Sequence, residues 1–382
     1  MASARLETAP DLAFLFATSR LDPEALTAGV LEVVGAATPL FGGNANGVIS
    51  NDFVGYDGFQ AGVAVFRFAG IEFELFRQEG VAFAERETGR ALGEQIAKKL
   101  EAASAVEPSL LMFYDSVNRL EGHFIMNLAT PLLEGMGESL DPWPDMAGAR
   151  VMGDMKFNPT VQWCGQDILR DAAVALALWG DVEMHTGILH GCRPVSAYHT
   201  ITTADGPVVL EVDEEPALDW VGDLLGPAIA DDFDKCKFFV TLGVNHGDRW
   251  AAFDEDHYAN KMCVGVDADR RGLVISEPLP AGTEVQLMRR SIDPDYNYQN
   301  ALDLIDGVYA TGRTPFFGMY INCAGRAAAY YGSEEEEATY VQKAVDGKFP
   351  VLGAYEAGEI TRVYKSMQLL DWSGILNVFS HA

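Results

Sequence analysis

The sequence predicts an α+β protein of two tandem, internally related halves, in which β-sheets are covered by helices and a strand-helix-strand unit recurs. Three observations carry this expectation. A proline, a mostly apolar run of strand length and a small polar end follow one another at Pro10 to Thr18, Pro108 to Ser116 and Pro315 to Cys323. Each is followed by a stretch of helical spacing and then by a second apolar run ending in glycine. These runs are Pro39-Leu40-Phe41-Gly42 and Pro350-Val351-Leu352-Gly353, with Val151-Met152-Gly153 as a weaker third copy. The remaining apolar residues fall in short runs between Gly, Pro and charged turns, as strands do. A period near about a hundred residues signals duplication of a supersecondary unit, not a solenoid.

Taken in order, residues 10 to 18 read as a strand. Asp22-Pro23 starts a helix, the acid at the N-cap and the proline where its missing N–H is no loss. Leu26, Val30 and Val33 or Val34 give that helix an apolar face. Phe41-Gly42-Gly43-Asn44-Ala45-Asn46-Gly47 lacks the lysine of a phosphate loop and the three-glycine spacing of a dinucleotide fingerprint. It reads as a tight turn, either plain or with backbone N–H groups and Asn44 facing a ligand. Residues 59 to 76 alternate as two strands about Gly70, and Thr88 to Ala103 carries Leu92, Ile96 and Leu100 at helical spacing. A helix is expected through Phe124, Leu128 and Leu132, a loop at Asp141-Pro142-Trp143-Pro144, and a strand from Ala172 to Trp179. Pro216-Ala217-Leu218 opens a helix, so the halves divide as 1–213 and 214–382. Phe238 to Val244, Met262 to Val266, Gly272 to Ser276 and Glu284 to Met288 read as strands, and 297–311 and 334–345 as helices. The last has Ser333 and Glu336 in capping-box spacing, with acids in the first turn where the helix dipole favours them.

The formal charge of −29, from 56 acidic and 27 basic residues, repels phosphate backbones and anionic lipid. Nucleic-acid and membrane partners are therefore not expected. No apolar run reaches the roughly 20 residues of a membrane helix, and the N-terminus lacks a basic region followed by an apolar core, so a cytoplasmic location is expected. The five cysteines, Cys164, Cys192, Cys236, Cys263 and Cys323, form no C-x-x-C pair and no zinc spacing, and read as reduced thiols.

A strand from Pro315 to Ile321 would place Asn322 and Cys323 at its end, with Gly325 and Arg326 in the loop beyond. An amide, a thiol and a guanidinium would converge there, as at a ligand pocket or an active-site lip. By residue type alone the same thiol is a small core hydrophobe. Thr18, Asp115 and Ser116 stand at the ends of the other two repeated strands, and Glu359 follows the second apolar run of the last copy. Residues 187 to 203 set His190, Cys192, Arg193 and His199 about a glycine and a proline, a second chemically rich stretch.

His190-Gly191-Cys192-Arg193-Pro194, the threonines at 200, 202 and 203, Pro216-Ala217-Leu218, Gly282 to Met288, Asn322-Cys323-Ala324-Gly325-Arg326 and Gly353 to Ile360 follow in an order that resembles FIST-domain proteins. The resemblance implies an N-terminal FIST region over 1–213 and a C-terminal one over 214–382, in the stand-alone form. It implies a sensory, signal-transducing module that binds a small polar metabolite such as an amino acid and passes the signal to a downstream protein. On this reading Arg193 and Arg326 clamp an anion, while Thr18, Asn44, Asp115, Ser116, His190, Asn322, Cys323 and Glu359 line the ligand. Some bacterial members similar in architecture bind haem to sense nitric oxide. Haem is thus an alternative cofactor, with His190 as the axial ligand because its flanking glycine leaves room for a macrocycle. A second alternative is an enzyme with Cys323 as nucleophile and His190 as base. Two departures stand out. Tyr258-Ala259-Asn260-Lys261 replaces an expected tyrosine-x-x-arginine, and lysine lacks the bidentate geometry of arginine. Leu370-Asp371-Trp372-Ser373 stands where an asparagine-threonine pair is more usual.

Overall fold

A computed structural model describes residues 9–120, 123–226, 240–290, 294–332 and 334–382. Strands Leu12–Ala17 and Leu40–Asn44 lie parallel, joined by helix Pro23–Val34, with Leu15 opposite Gly42. Ser109–Asp115 and Asp145–Val151 are likewise parallel, with helix Ala129–Gly137 between them and Met112 opposite Gly148. Thr314–Cys323 and Val351–Glu356 form a third parallel pair, bridged by helices Ala328–Tyr331 and Ala338–Val345, with Tyr320 opposite Gly353. A Cβ on Gly42, Gly148 or Gly353 would stand 2.1, 1.9 or 2.3 Å from the carbonyl oxygen of Leu15, Met112 or Tyr320. Only glycine lets these strands close to that distance.

On the far side of each glycine-bearing strand lies an antiparallel strand from elsewhere in the chain. Gln162–Gly165 pairs with Leu40–Asn44, Glu359–Val363 with Asp145–Val151, and Gly47–Ser50 with Val351–Glu356. Trp163, Ile360 and Ile49 face the three glycines. On the other side of the central strands run Ala61–Phe66, Ala172–Gly180 and Gly374–His381, all antiparallel. The result, among the described residues, is three mixed sheets of five, six and six strands.

Their inner faces share one apolar core, in which Phe14, Phe16 and Phe41 meet Phe113, Val174, Phe317, Leu352 and Phe379. The outer faces are covered by helices: Pro23–Val34 on the first sheet, Glu85–Ala103 with Ala129–Gly137 on the second, and Pro294–Ala310 with Ala338–Val345 on the third. Burial on both faces explains why the central strands read as nearly unbroken apolar runs. The described residues between 192 and 290 form a separate eight-stranded sheet with helix Ala217–Leu225 and their own core of Ile201, Val209, Trp220, Leu242, Leu273 and Leu287.

The Asp22 cap is present, with the Ala25 N–H donating to its carboxylate at 2.8 Å. Several expectations need correction. The helix drawn through Phe124 begins only at Ala129; His123–Met126 is a strand. Asn127 turns the chain between them, its N–H donating to Ser116 O and its side-chain amide to Asp115 O. The Gly-rich stretch is not a turn, because Leu40–Asn44 is hydrogen-bonded to a strand on each side. Pairing register also shows that Gly148, not Gly153, matches Gly42 and Gly353, and that Asp115, not Ser116, matches Thr18 and Cys323. Ser333 of the expected capping box lies outside the described residues; the helix expected over 334–345 begins at Ala338 with no side-chain cap, and Glu336 accepts from Ala328 N–H and Tyr355 OH. Phe238 and Cys236 also lie outside the described residues; the strand there is Thr241–Asn245. Strands cross the 213/214 division in both directions, since Gly47–Ser50 and Glu183–Ile188 belong to the third sheet and Glu359–Val363 to the second. Among the described residues no helix is long and apolar enough to cross a membrane.

Candidate functional site

The strand-end residues expected at a lip are interior. Cys323 is 5 % exposed, and burial together with the nearby Glu359 and Asp371 carboxyls pushes its thiol up to about 12. Arg326, expected as an anion clamp, is spent elsewhere. Its guanidinium donates to the carbonyls of Leu189 (2.6 Å), Trp372 (3.0 Å) and His190 (3.4 Å) and to Glu337 (2.8 Å). It ties the loop at 189–190 to the end of the third sheet. Thr18 donates to Gly58 O at 2.6 Å, Asn44 bridges Ala17 O and Val161 N–H, and Ser116 donates to Val151 O at 2.5 Å. Asp115 accepts from the Thr160 hydroxyl and from the N–H groups of Val117 and Asp171, while burial raises its pKa. Asn44 thus staples the first parallel pair and Ser116 the second, while Thr18 ties the first central strand to the Gly58 turn and Asp115 ties the second to Thr160 and Asp171. Asn322, Cys323, Arg326 and Glu359 gather at the third.

Around that third end lie charged residues that sequence reading missed. Arg150, fully buried, donates to Asp371 at 3.1 Å and to Glu277 at 3.2 Å. Glu277 in turn accepts the first N–H groups of helix Ala129–Gly137, from Ala129 and Thr130, at 2.9 Å each. Asp371 also accepts from Met262 N–H and the Ser276 hydroxyl, and Lys261 donates to Leu369 O at 2.7 Å. This charged joint seats the 192–290 sheet on the second sheet. The signal for it in the sequence is an arginine inside the apolar strand Ala147-Gly148-Ala149-Arg150-Val151. Glu356 and Glu359, both without exposure, have oxygens with no partner among the described residues, and burial lifts both well above the usual carboxylate range.

Arg193 stands apart from all of these, at the surface. Its chain neighbour Pro194 and its ring partner Phe253 line a cavity of about 200 Å³, whose walls also include Tyr198, Arg249, Tyr258 and the carboxylates of Asp248 and Asp254. A hydrogen-bond relay runs along the wall: Asn245 Nδ2 to Tyr198 OH (2.7 Å), Tyr198 OH to Tyr258 OH (3.2 Å) and Tyr258 OH to Gln286 Oε1 (2.8 Å). Tyr258 spends its proton on Gln286, so Tyr198 directs its proton to Tyr258, and each phenol oxygen keeps a lone pair for a donor. The Arg193 guanidinium sits over the rings of Phe253 (5.2 Å) and Tyr296 (5.9 Å). Arg249 covers Tyr198 at 4.7 Å and pairs with Glu284. The cavity therefore offers aromatic walls, phenol oxygens and the Asp248 and Asp254 carboxylates as acceptors, and the Arg249 guanidinium, with Arg193 on Phe253 beside it.

His190 lies behind this wall, without exposure. Its Nδ1 accepts the Cys192 N–H at 2.8 Å and its Nε2 donates to Glu255 O at 3.2 Å, while burial first and Arg326 second lower its pKa to about 3. Both ring nitrogens are spent, so His190 fits neither a haem axial ligand nor a general base. Glu255 accepts the N–H groups of His190 (2.5 Å) and Gly191 (2.7 Å), the Tyr296 hydroxyl and the Asn300 amide (3.1 Å). Burial raises its carboxyl to about 7. Among the described residues no group of His, Cys, Asp and Glu side chains is placed to hold a metal ion.

Against known proteins, a FIST N domain family model matches residues 11–215 and a FIST C domain model matches residues 217–362. An uncharacterized protein of Mycobacterium tuberculosis is 23 % identical over 230 residues, covering 60 % of this chain and 59 % of that protein. An uncharacterized protein of Mycobacterium bovis is 22 % identical over 223 residues, covering 57 % and 56 %. The chain spans less than two thirds of the length of these curated relatives.

Proposed function

The chain belongs to the FIST family, and from that premise we propose that it is a sensory protein that binds a small polar ligand, an amino acid in size and polarity, in the Tyr198–Tyr258 cavity. FIST domains are associated with sensing and signal transduction, which supports the class. The observation that carries the site is the relay itself. Two phenol oxygens are left as acceptors in a cavity of about 200 Å³, and Phe253 in its wall carries the Arg193 guanidinium, which makes ring contacts and no ion pair among the described residues. An ammonium group suits the phenol oxygens and a carboxylate suits Arg193. The Phe253 to His257 segment joins this wall to Glu255, and through it to the His190 loop, a route by which occupancy reaches a downstream signalling partner. We read the three parallel strand pairs as copies of one duplicated unit, supported by their shared glycine register.

Isothermal titration calorimetry with a panel of α-amino acids tests the binding reading. At least one is expected to bind, and Tyr258→Phe or Arg193→Ala should each weaken it about tenfold, the worth of one hydrogen bond or charge contact. If no amino acid binds, or if binding ignores both substitutions, the site is wrong.

A further inference from the structure

The three sheets differ at one edge. Strand Ala172–Gly180 carries Ile71–Glu79 on the side away from its central strand, with Phe76 opposite Ala175. Strand Gly374–His381 carries Glu183–Ile188 there, with Gly187 opposite Leu376. Ala61–Phe66 occupies the same place in the first sheet, paired with its central strand through Val63 opposite Leu15, yet among the described residues no strand pairs with its other side. The Thr18 N–H donates to Gln60 O at 3.0 Å, which fixes the alternation of this antiparallel pair. Gly62, Ala64 and Phe66 exchange bonds with the central strand, and the N–H and C=O groups of Ala61, Val63 and Val65 point outward.

We infer that this edge is a pairing surface for a second copy of the chain, strand Ala61–Phe66 lying antiparallel against its twin across a two-fold axis through Val63. The two covered edges set the geometry, since both hold one antiparallel strand at the position corresponding to Val63. Each copy then presents the same three outward residues, and Ala61 of one meets Val65 of the other. The seam suits a chain of net charge −29, because residues 58 to 66 carry no charge and the copies do not repel there. The register also sets Phe59, 72 % exposed, opposite Arg67 of the twin, whose guanidinium is half exposed and paired with its own Asp11. A two-fold arrangement satisfies both copies with one surface and ends there, so it does not propagate into a fibre. The first sheet becomes ten strands wide, with its covering helix untouched on the outer face.

Sedimentation equilibrium of the full chain, with amide hydrogen exchange at high and low concentration, tests this. A dimer is expected whose dissociation constant rises about tenfold or more in Ala61→Pro, which removes an outward donor. Ala61→Glu, a change at an exposed side chain that leaves the backbone alone, should weaken it in the same direction. The amides of Ala61, Val63 and Val65 should be protected in the dimer and lose protection on dilution. Three results would each overturn the inference. The wild-type chain could stay monomeric at every concentration. It could form a dimer indifferent to both substitutions while the three amides exchange freely. Or protection of these amides could persist in the monomer and vanish on removal of residues 1–8, which would assign the edge to the chain's own segment.

Discussion

Glu255 is the residue at which burial and hydrogen bonding are most evenly opposed. Four donors favour its carboxylate, yet burial dominates and holds the folded pKa at about 7, above the ordinary 4.5. A raised acid pKa means that the fold prefers the protonated form. The stabilisation is complete below about pH 4.5 and is lost as pH rises through about 7. The melting temperature of the wild type relative to Glu255→Gln should therefore fall between pH 4.5 and 7 and level off above. A difference that stays flat across that window would mean the carboxyl titrates normally. Cys323 follows the same logic: its side chain is interior and its neighbours Glu359 and Asp371 are acidic, which outweighs the Gly325 and Trp372 N–H groups that favour the thiolate, so its thiol stays protonated at neutral pH. The residue types at 322 to 326 were legible as chemistry, but which way Arg326 turned was not.

At the scale of the element, the parallel pairs depend on glycine opposite a carbonyl. A methyl group on Gly42 would meet Leu15 O at 2.1 Å, and Gly42 also has φ +145°. Gly42→Ala should therefore destabilise the protein by about 3 kcal/mol or more, by forcing the two strands apart. Gly29 is the contrast. It is exposed within helix Pro23–Val34, and a Cβ there meets nothing within 4 Å, so Gly29→Ala should stabilise by roughly 0.5–1 kcal/mol. Chemical denaturation of both variants checks the pair, and equal effects would contradict the packing argument. The glycines of 42 and 353 were visible in the sequence because each follows a proline and two apolar residues. Gly148 was missed because Pro144-Asp145-Met146-Ala147-Gly148 has one residue more.

For the whole molecule, the joint between the three sheets and the 192–290 sheet rests on buried charge. Arg150 answers Glu277 and Asp371, and Glu277 also holds the start of helix Ala129–Gly137. Arg150→Met keeps the bulk but strands two buried carboxylates, and about 3–5 kcal/mol of destabilisation is expected. Calorimetry should show the 192–290 sheet melting in a separate, earlier transition. A single transition near the wild-type temperature would show that apolar packing alone holds the joint.

The sequence by itself determined the α+β class, the FIST membership, the Asp22 helix start and the strand character of 10–18, 172–179 and 315–321. The helix start and the strands follow from local signals, which act over a few residues, and the family from the order of the motifs between His190 and Ile360. It also placed polar groups at the repeated strand ends. Tertiary structure alone decided what they do, because strands of all three sheets come from distant parts of the chain and bury those ends. Thr18, Asn44 and Ser116 then satisfy carbonyls that no sequence window contains, and Arg326 spends its donors 137 residues away on Leu189. The Tyr198–Tyr258 cavity is likewise set by pairing within the 192–290 sheet. Its walls stand 60 residues apart in the chain, beyond any spacing that local physics constrains.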